Sequence, residues 1–193
     1  MKYGEPTSEI LFINACVRRG SRTRQLADCL LSTLDGSVTE VRLIDIPFPA
    51  VNEEFLAKRD RLISERDYSA PMFGLAKQFA KADIVVIAAP YWDLSFPASL
   101  KQYLEQINIT GVTFFYTPKG VPQGLCRAKQ LFYISTAGGN YVPEEFGFGY
   151  VKALAQNFYG IPEVRFFNAA GLDIDGADPE HIIREAMDRI RNR

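Results

Sequence analysis

Apolar residues along the chain fall into short continuous runs separated by longer stretches with helical spacing. Ile10-Leu-Phe-Ile-Asn-Ala15 is such a run, and Thr23 to Leu34 then carries Leu26, Ala27, Leu30, Leu31 and Leu34 on one helical face, so the pattern predicts a strand followed by a helix. Val38 to Leu43 alternates apolar and polar positions before Pro47 and Pro49 interrupt it, which predicts a second strand nearer a sheet edge. Asn52 to Lys81 is charged and helix-prone with a break near Pro71, predicting two helical pieces. Asp83 to Ala89 is the most apolar run of all and predicts a central strand. A helix over Ala98–Ile107, a strand over Gln130–Ser135, a helix over Glu145–Tyr159 and a strand over Val164–Ala169 follow. Pro179 to Arg193 closes the chain as a helix with Asp178 as its N-cap.

Strand and helix thus alternate five times, the signature of an α/β protein with a doubly wound, five-stranded parallel sheet covered by helices on both faces. The 193 residues suit one domain, 1–193. Two excursions, 44–69 and 108–129, lie outside the alternation, the second built around Phe114-Phe115-Tyr116 with Gly111, Pro118-Lys119-Gly120 and Gly124. They are long enough to be binding or oligomer surfaces. Hydrophobic residues at 47% and charged residues at 23% exclude a disordered chain. With 22 basic against 23 acidic side chains, the net charge of -1 gives no reason to expect nucleic acid or an anionic membrane as partner. The segment MKYGEPTSEILFINAC lacks the pattern of a secretory leader, and no apolar stretch is long enough to span a bilayer, so a cytoplasmic protein is expected. Cys16, Cys29 and Cys126 are scattered and only His181 accompanies them, which supports neither a disulfide framework nor a metal site.

In an open parallel sheet, ligands bind beyond the carboxyl ends of the strands. Three loops should meet there: Cys16 to Thr23, Pro90 to Pro97, and Thr136 to Tyr141. The first combines Gly20, the hydroxyls of Ser21 and Thr23, three arginines and the amino end of a helix, all suited to a phosphate. It carries neither dinucleotide fingerprint nor nucleotide P-loop spacing. The second offers the planar rings of Tyr91 and Trp92, and the third offers Gly138-Gly139, where backbone can approach a ligand closely. Taken singly, these are a capped helix with solvated arginines, packed aromatics and a turn. Together on one sheet edge they describe a site for a planar molecule bearing one phosphate, which flavin mononucleotide (FMN) fits.

Four motifs then carry a resemblance: the apolar run at residue 10 with Ser21-Arg-Thr-Arg-Gln-Leu-Ala-Asp28, Ala89-Pro-Tyr-Trp-Asp-Leu-Ser-Phe-Pro-Ala-Ser-Leu-Lys101, Gly111-Val-Thr-Phe-Phe-Tyr-Thr117, and Ser135-Thr-Ala-Gly-Gly139. In that order they resemble the FMN-dependent NADH azoreductases of the flavodoxin-like quinone reductase superfamily. The resemblance implies a homodimer with sheet order 2-1-3-4-5, FMN at the switch point and a substrate pocket near the dimer interface. Ser21, Arg22 and Thr23 match the phosphate loop, Tyr91, Trp92, Asp93 and Leu94 the stretch bordering the flavin ring, and Ser135, Thr136, Ala137, Gly138 and Gly139 the loop at its pyrimidine edge. Phe115, Tyr116 and Tyr141 are candidates for the substrate pocket. The family often has Met or Asn where this chain has Tyr91 or Asp93, Arg where it has Phe115, and Ser near Cys16. The implied chemistry is ping-pong: NADH or NADPH gives hydride to flavin N5, and a quinone, azo compound or similar small acceptor then takes two electrons. No side chain need act as a catalytic acid or base, and no metal is required.

Cys16, five intervening residues and Arg22-Thr23 also spell the nucleophile loop of the low-molecular-weight cysteine phosphatases, with Arg18 in place of the usual glycine. That reading leaves the aromatic and diglycine loops unexplained. A non-enzymatic flavodoxin-like electron carrier is a further alternative, although such carriers tend to be strongly acidic and this chain is not.

Overall fold

The computed structural model describes residues 8–193, so residues 1–7 of the expected domain and leader-free N-terminus lie outside the described residues. Five strands, β1 (Glu9–Asn14), β2 (Ser37–Arg42), β3 (Ile84–Ala88), β6 (Gln130–Thr136) and β7 (Glu163–Ala169), form one parallel sheet in the order β2-β1-β3-β6-β7. Counting only its own members, this is the expected 2-1-3-4-5. β3 is central as predicted, and β2 lies at an edge where Val41 is its one buried residue.

The near-continuous apolar runs follow from burial on both faces. Successive residues of β1 enter opposite cores: Ile10 and Phe12 pack with Leu26 and Leu30 of helix α1 (Arg22–Leu31) and with Ile183 and Ile190 of α6 (Pro179–Arg191). Leu11 and Ile13 pack instead with Phe79 of α3 (Gly74–Lys81), Tyr103 of α4 (Ala98–Ile107) and Val151 of α5 (Phe148–Leu154). Helix starts obey the expected local chemistry. Ser21 Oγ accepts from Arg24 N–H, Asn52 caps α2 (Glu53–Ser64) through Phe55 N–H, and Asp178 accepts from His181 N–H behind Pro179. His181 itself is exposed, 3.3 Å from Glu185 on the same helix.

The sequence pattern and the structure differ in three places. The segment Glu145–Tyr159 becomes helical only at Phe148, with Gly147 at its cap, and ends in one wider π turn over Ala155–Tyr159 closed by Gly160. The second excursion contains an antiparallel hairpin, β4 (Phe114–Tyr116) against β5 (Pro122–Gly124), turning through Pro118-Lys119-Gly120. Phe114, in the aromatic run placed on that excursion, is only 5% exposed, whereas Tyr116 is 52% exposed. The hairpin sits directly on the turn after the π segment. A Cβ on Gly124 would fall 2.2 Å from Gly160 N and from Tyr159 C, so only glycine permits the contact. Just beyond it, Cys126 N–H bonds Tyr159 O, and Leu125 N–H bonds Thr113 O.

Candidate functional site

The loops after β1, β3 and β6 converge on one open cavity of about 300 Å3 at the carboxyl end of the sheet, the position expected for a ligand. Of the residues singled out in the sequence, Ser21, Arg22, Thr23, Tyr91, Trp92, Thr136, Ala137 and Gly138 line it. Asp93, Leu94, Ser135 and Gly139 belong to the same loops but not to its wall, and Phe115, Tyr116 and Tyr141 are not brought to it within this chain. Ser135 is 1% exposed, its hydroxyl buried without a partner, because strand alternation turns it away while Thr136 faces the cavity.

At one end of the cavity stands the first turn of α1. Ser21 Oγ is 3.3 Å from Arg24 N as an acceptor, which leaves its O–H free to donate. The N–H groups of Arg22 and Thr23 donate to no protein group among the described residues, as expected of a helix start. Thr23 is 1% exposed, and its hydroxyl lies 2.6 Å from that of Thr136, joining the first loop to the third. In the third loop, the N–H groups of Gly138 and Gly139 are likewise without protein acceptors among the described residues. A Cβ on Gly138 would fall 2.4 Å from Asp173 Oδ2.

Sequence reasoning missed Leu172 and Asp173, which complete the wall. Asp173 accepts from the Arg22 guanidinium at 2.8 Å and its N–H bonds Gly138 O, so it ties two of the predicted loops together. Its signal was the strand-end rule itself, applied to the fifth strand as well as the others. A second missed feature is the turn at Asp93 and Leu94, both left-handed at φ 50° and 66°. Trp92 and Ser95 bond reciprocally around them, which makes a tight I′-like turn in which Asp93 is a suitable residue and Leu94 is not. Backbone strain of this kind clusters at ligand clamps.

Tyr91 presents its ring to the cavity while its hydroxyl is buried without a partner. Burial first, and then the neighbouring Tyr141 and Glu145, push that hydroxyl above its ordinary pKa and keep it protonated. Cys16 is 7% exposed and absent from the cavity wall, and burial pushes its thiol up too. A nucleophilic loop needs the reverse shift, and Cys16 is not in the wall of the cavity that Arg22 lines, so the arrangement does not favour a cysteine phosphatase. Among the described residues no group of three or more His, Cys, Asp or Glu gathers as a metal site, and no helix is long and apolar enough to cross a membrane.

A family profile described as the flavodoxin-like fold matches residues 8–193. The chain is 35% identical over 191 residues to the FMN-dependent NADH:quinone oxidoreductase of Lachnoclostridium phytofermentans, covering 94% of this chain and 96% of that protein. Its fold is shared by an azoreductase of Bacillus anthracis, with a TM-score of 0.83 at 24% identity over 96% of this chain and 97% of that one. A second Bacillus anthracis structure, an FMN-dependent NADH-azoreductase in complex with FMN, superposes with a TM-score of 0.77 at 23% identity over 96% of each chain. By profile and by sequence identity along nearly its whole length, the chain belongs to the family of FMN-dependent NADH:quinone oxidoreductases within the flavodoxin-like fold.

Proposed function

We propose that this chain is an FMN-dependent NADH:quinone oxidoreductase whose cavity holds the FMN phosphate at the first turn of α1 and the flavin ring between the Tyr91–Trp92 and Ala137–Gly138 segments. One observation carries the reading. Unpartnered backbone donors come from two of the loops that meet at a single cavity, Arg22 and Thr23 at the start of α1 and Gly138 in the diglycine loop, with Gly139 next to it in the chain. Bound FMN supplies the two-electron chemistry, accepting hydride from NADH and yielding the electrons to a quinone or azo acceptor.

The residues do the rest. Ser21 and Thr23 donate hydroxyl hydrogen bonds to the phosphate, and the α1 dipole and free N–H groups favour its charge. Arg22 turns from Asp173 to the phosphate, an exchange with little resistance because the ion pair is exposed at 40% and 69%. The Gly138 N–H, with that of Gly139 beside it, would donate to the polar edge of the flavin ring and stabilise negative charge there. Tyr91 and Trp92 bound the ring, and no side chain is needed as an acid or base. The strained Asp93–Leu94 turn fixes the direction in which the Trp92 backbone leaves the strand.

Donor and acceptor use one place in turn, as the ping-pong reading requires. We also read the protein as a cytoplasmic homodimer, with exposed apolar groups at Val51, Tyr116, Val121 and Leu125 as the material of the interface. The test is direct. The purified chain should be yellow, release FMN on denaturation, oxidise NADH with a quinone, and sediment as a dimer at micromolar concentration. A colourless chain that binds no added FMN refutes the cofactor assignment, and a fully active monomer refutes the dimer.

A further inference from the structure

Asp173 is the single carboxylate among the described residues that line the site cavity, where Arg18 and Arg22 supply the cations. Three contacts fix its place. Its N–H bonds Gly138 O at 3.0 Å, one carboxylate oxygen accepts from the Arg22 guanidinium at 2.8 Å, and the other lies within the space that a Cβ on Gly138 would need. Glycine at 138 therefore brings the carboxylate flush against the third loop. Asp173 makes no second ion pair among the described residues. A site read as binding an anion thus carries a negative charge in its wall, packed on the residue whose N–H is assigned to the polar edge of the flavin ring.

Phosphate binding gains nothing from this charge, and reduction of the ring is opposed by it. Hydride brings two electrons and one proton, so FMN gains one negative charge as NADH becomes NAD+. Once Arg22 engages the phosphate, Asp173 has lost its counter-charge and repels the charge that the ring acquires. We propose that Asp173 weakens the hold on reduced FMN relative to oxidised FMN, and so makes the bound flavin a stronger reductant for acceptors that are hard to reduce, a reading that rests on the function proposed above. The side chain is exposed, so solvent screens part of the repulsion and the effect is about tenfold in that equilibrium.

Asp173→Asn tests it, keeping the size of the side chain and the main-chain bond to Gly138 while removing the charge. The midpoint potential of the bound flavin, read at saturating FMN by equilibration with a reference dye, should rise by about 30 mV, which for a two-electron couple is a tenfold gain in affinity for reduced over oxidised FMN. Asp173→Ser should shift it in the same direction, and Asp173→Glu, which keeps the charge, should hold the parental value. Oxidised FMN should also bind more tightly to Asp173→Asn, because Arg22 no longer leaves a carboxylate to reach the phosphate. Arg22→Gln separates the two effects: in that background the gain for oxidised FMN should vanish while the shift in potential stays. A potential unchanged or lowered in both uncharged variants, or a rise that disappears with Arg22, overturns the proposal. A parent protein that takes up no flavin defeats the functional reading instead, and that result is visible in the absorption spectrum before Asp173 is replaced.

Discussion

Thr23→Val tests the site at its most connected point. The side chain keeps its shape and loses only the hydroxyl that lies 2.6 Å from Thr136 Oγ1, in a residue 1% exposed. In the flavin-free protein the substitution leaves the partner hydroxyl without its bond, which costs about 1–3 kcal/mol when the group is buried. Thr136 is half-buried, so water replaces part of the lost bond and about 1 kcal/mol is expected. Thr136→Val should do the same, and the double variant should destabilise by less than the sum, with a coupling of about 1 kcal/mol. FMN binding should respond differently. Loss of a hydrogen bond to a charged phosphate is worth about 1.5–3 kcal/mol, so Thr23→Val should raise the Kd roughly ten- to hundredfold, and Thr136→Val much less. Urea unfolding of the flavin-free protein measures the first quantity and quenching of FMN fluorescence the second. Strictly additive destabilisation would refute the inter-loop bond, and an unchanged Kd for Thr23→Val would refute the phosphate assignment.

Cys16→Ser should retain FMN and NADH-to-quinone turnover, since burial holds the thiol protonated and away from the cavity; loss of an aryl phosphatase activity on this change would revive the cysteine mechanism. Leu94→Gly should raise the Tm by about 2 °C, because an L-residue in the left-handed region costs about 1–2 kcal/mol and glycine returns part of that in unfolded-chain entropy. Leu94 is 45% exposed, and a Tm several degrees lower by calorimetry would show that the burial lost with the leucine side chain outweighs the strain relieved. Alkali should destabilise the fold. Burial pushes Cys126 from 9.0 up to about 12, so the unfolded thiol releases its proton first, the unfolded state binds fewer protons, and stability present below pH 9 is lost as pH rises towards 12. Buried Tyr103 and Tyr159 shift in the same direction, and a urea midpoint that stayed constant from pH 8 to 11 would contradict the assignment.

The sheet was legible because strands buried on both faces cannot disguise themselves: each is a short apolar run bounded by polar or glycine-containing turns. The three loops were legible because parallel strands deliver their carboxyl ends to one edge, and glycine, hydroxyl and aromatic residues followed three of those ends. Residues 114–124 were opaque for the opposite reason. β5 contains Pro122 and Gly124 and shows no alternation, and what makes it a strand is its contact with the main chain at Tyr159–Gly160 rather than its own sequence. The left-handed Leu94 contradicts residue preference and left no trace. Ser135 failed by parity, since a one-residue step along a strand reverses the face a side chain meets. Phe115, Tyr116 and Tyr141 are named beside the family resemblance as substrate-pocket candidates, and within this chain they do not line the cavity.

The seat of the hairpin on Tyr159–Gly160 also bears on how such a protein diversifies. Glycine against backbone, with the Cys126-to-Tyr159 main-chain bond next to it, makes the ribbon part of the frame rather than a flap. Side chains at 115, 116 and 121 are therefore carried on a fixed mount, free to be exchanged without disturbing the sheet beneath. Descendants of this chain can change the outline they offer to other molecules by point substitution alone, while Gly124 and Gly160 stay closed to change.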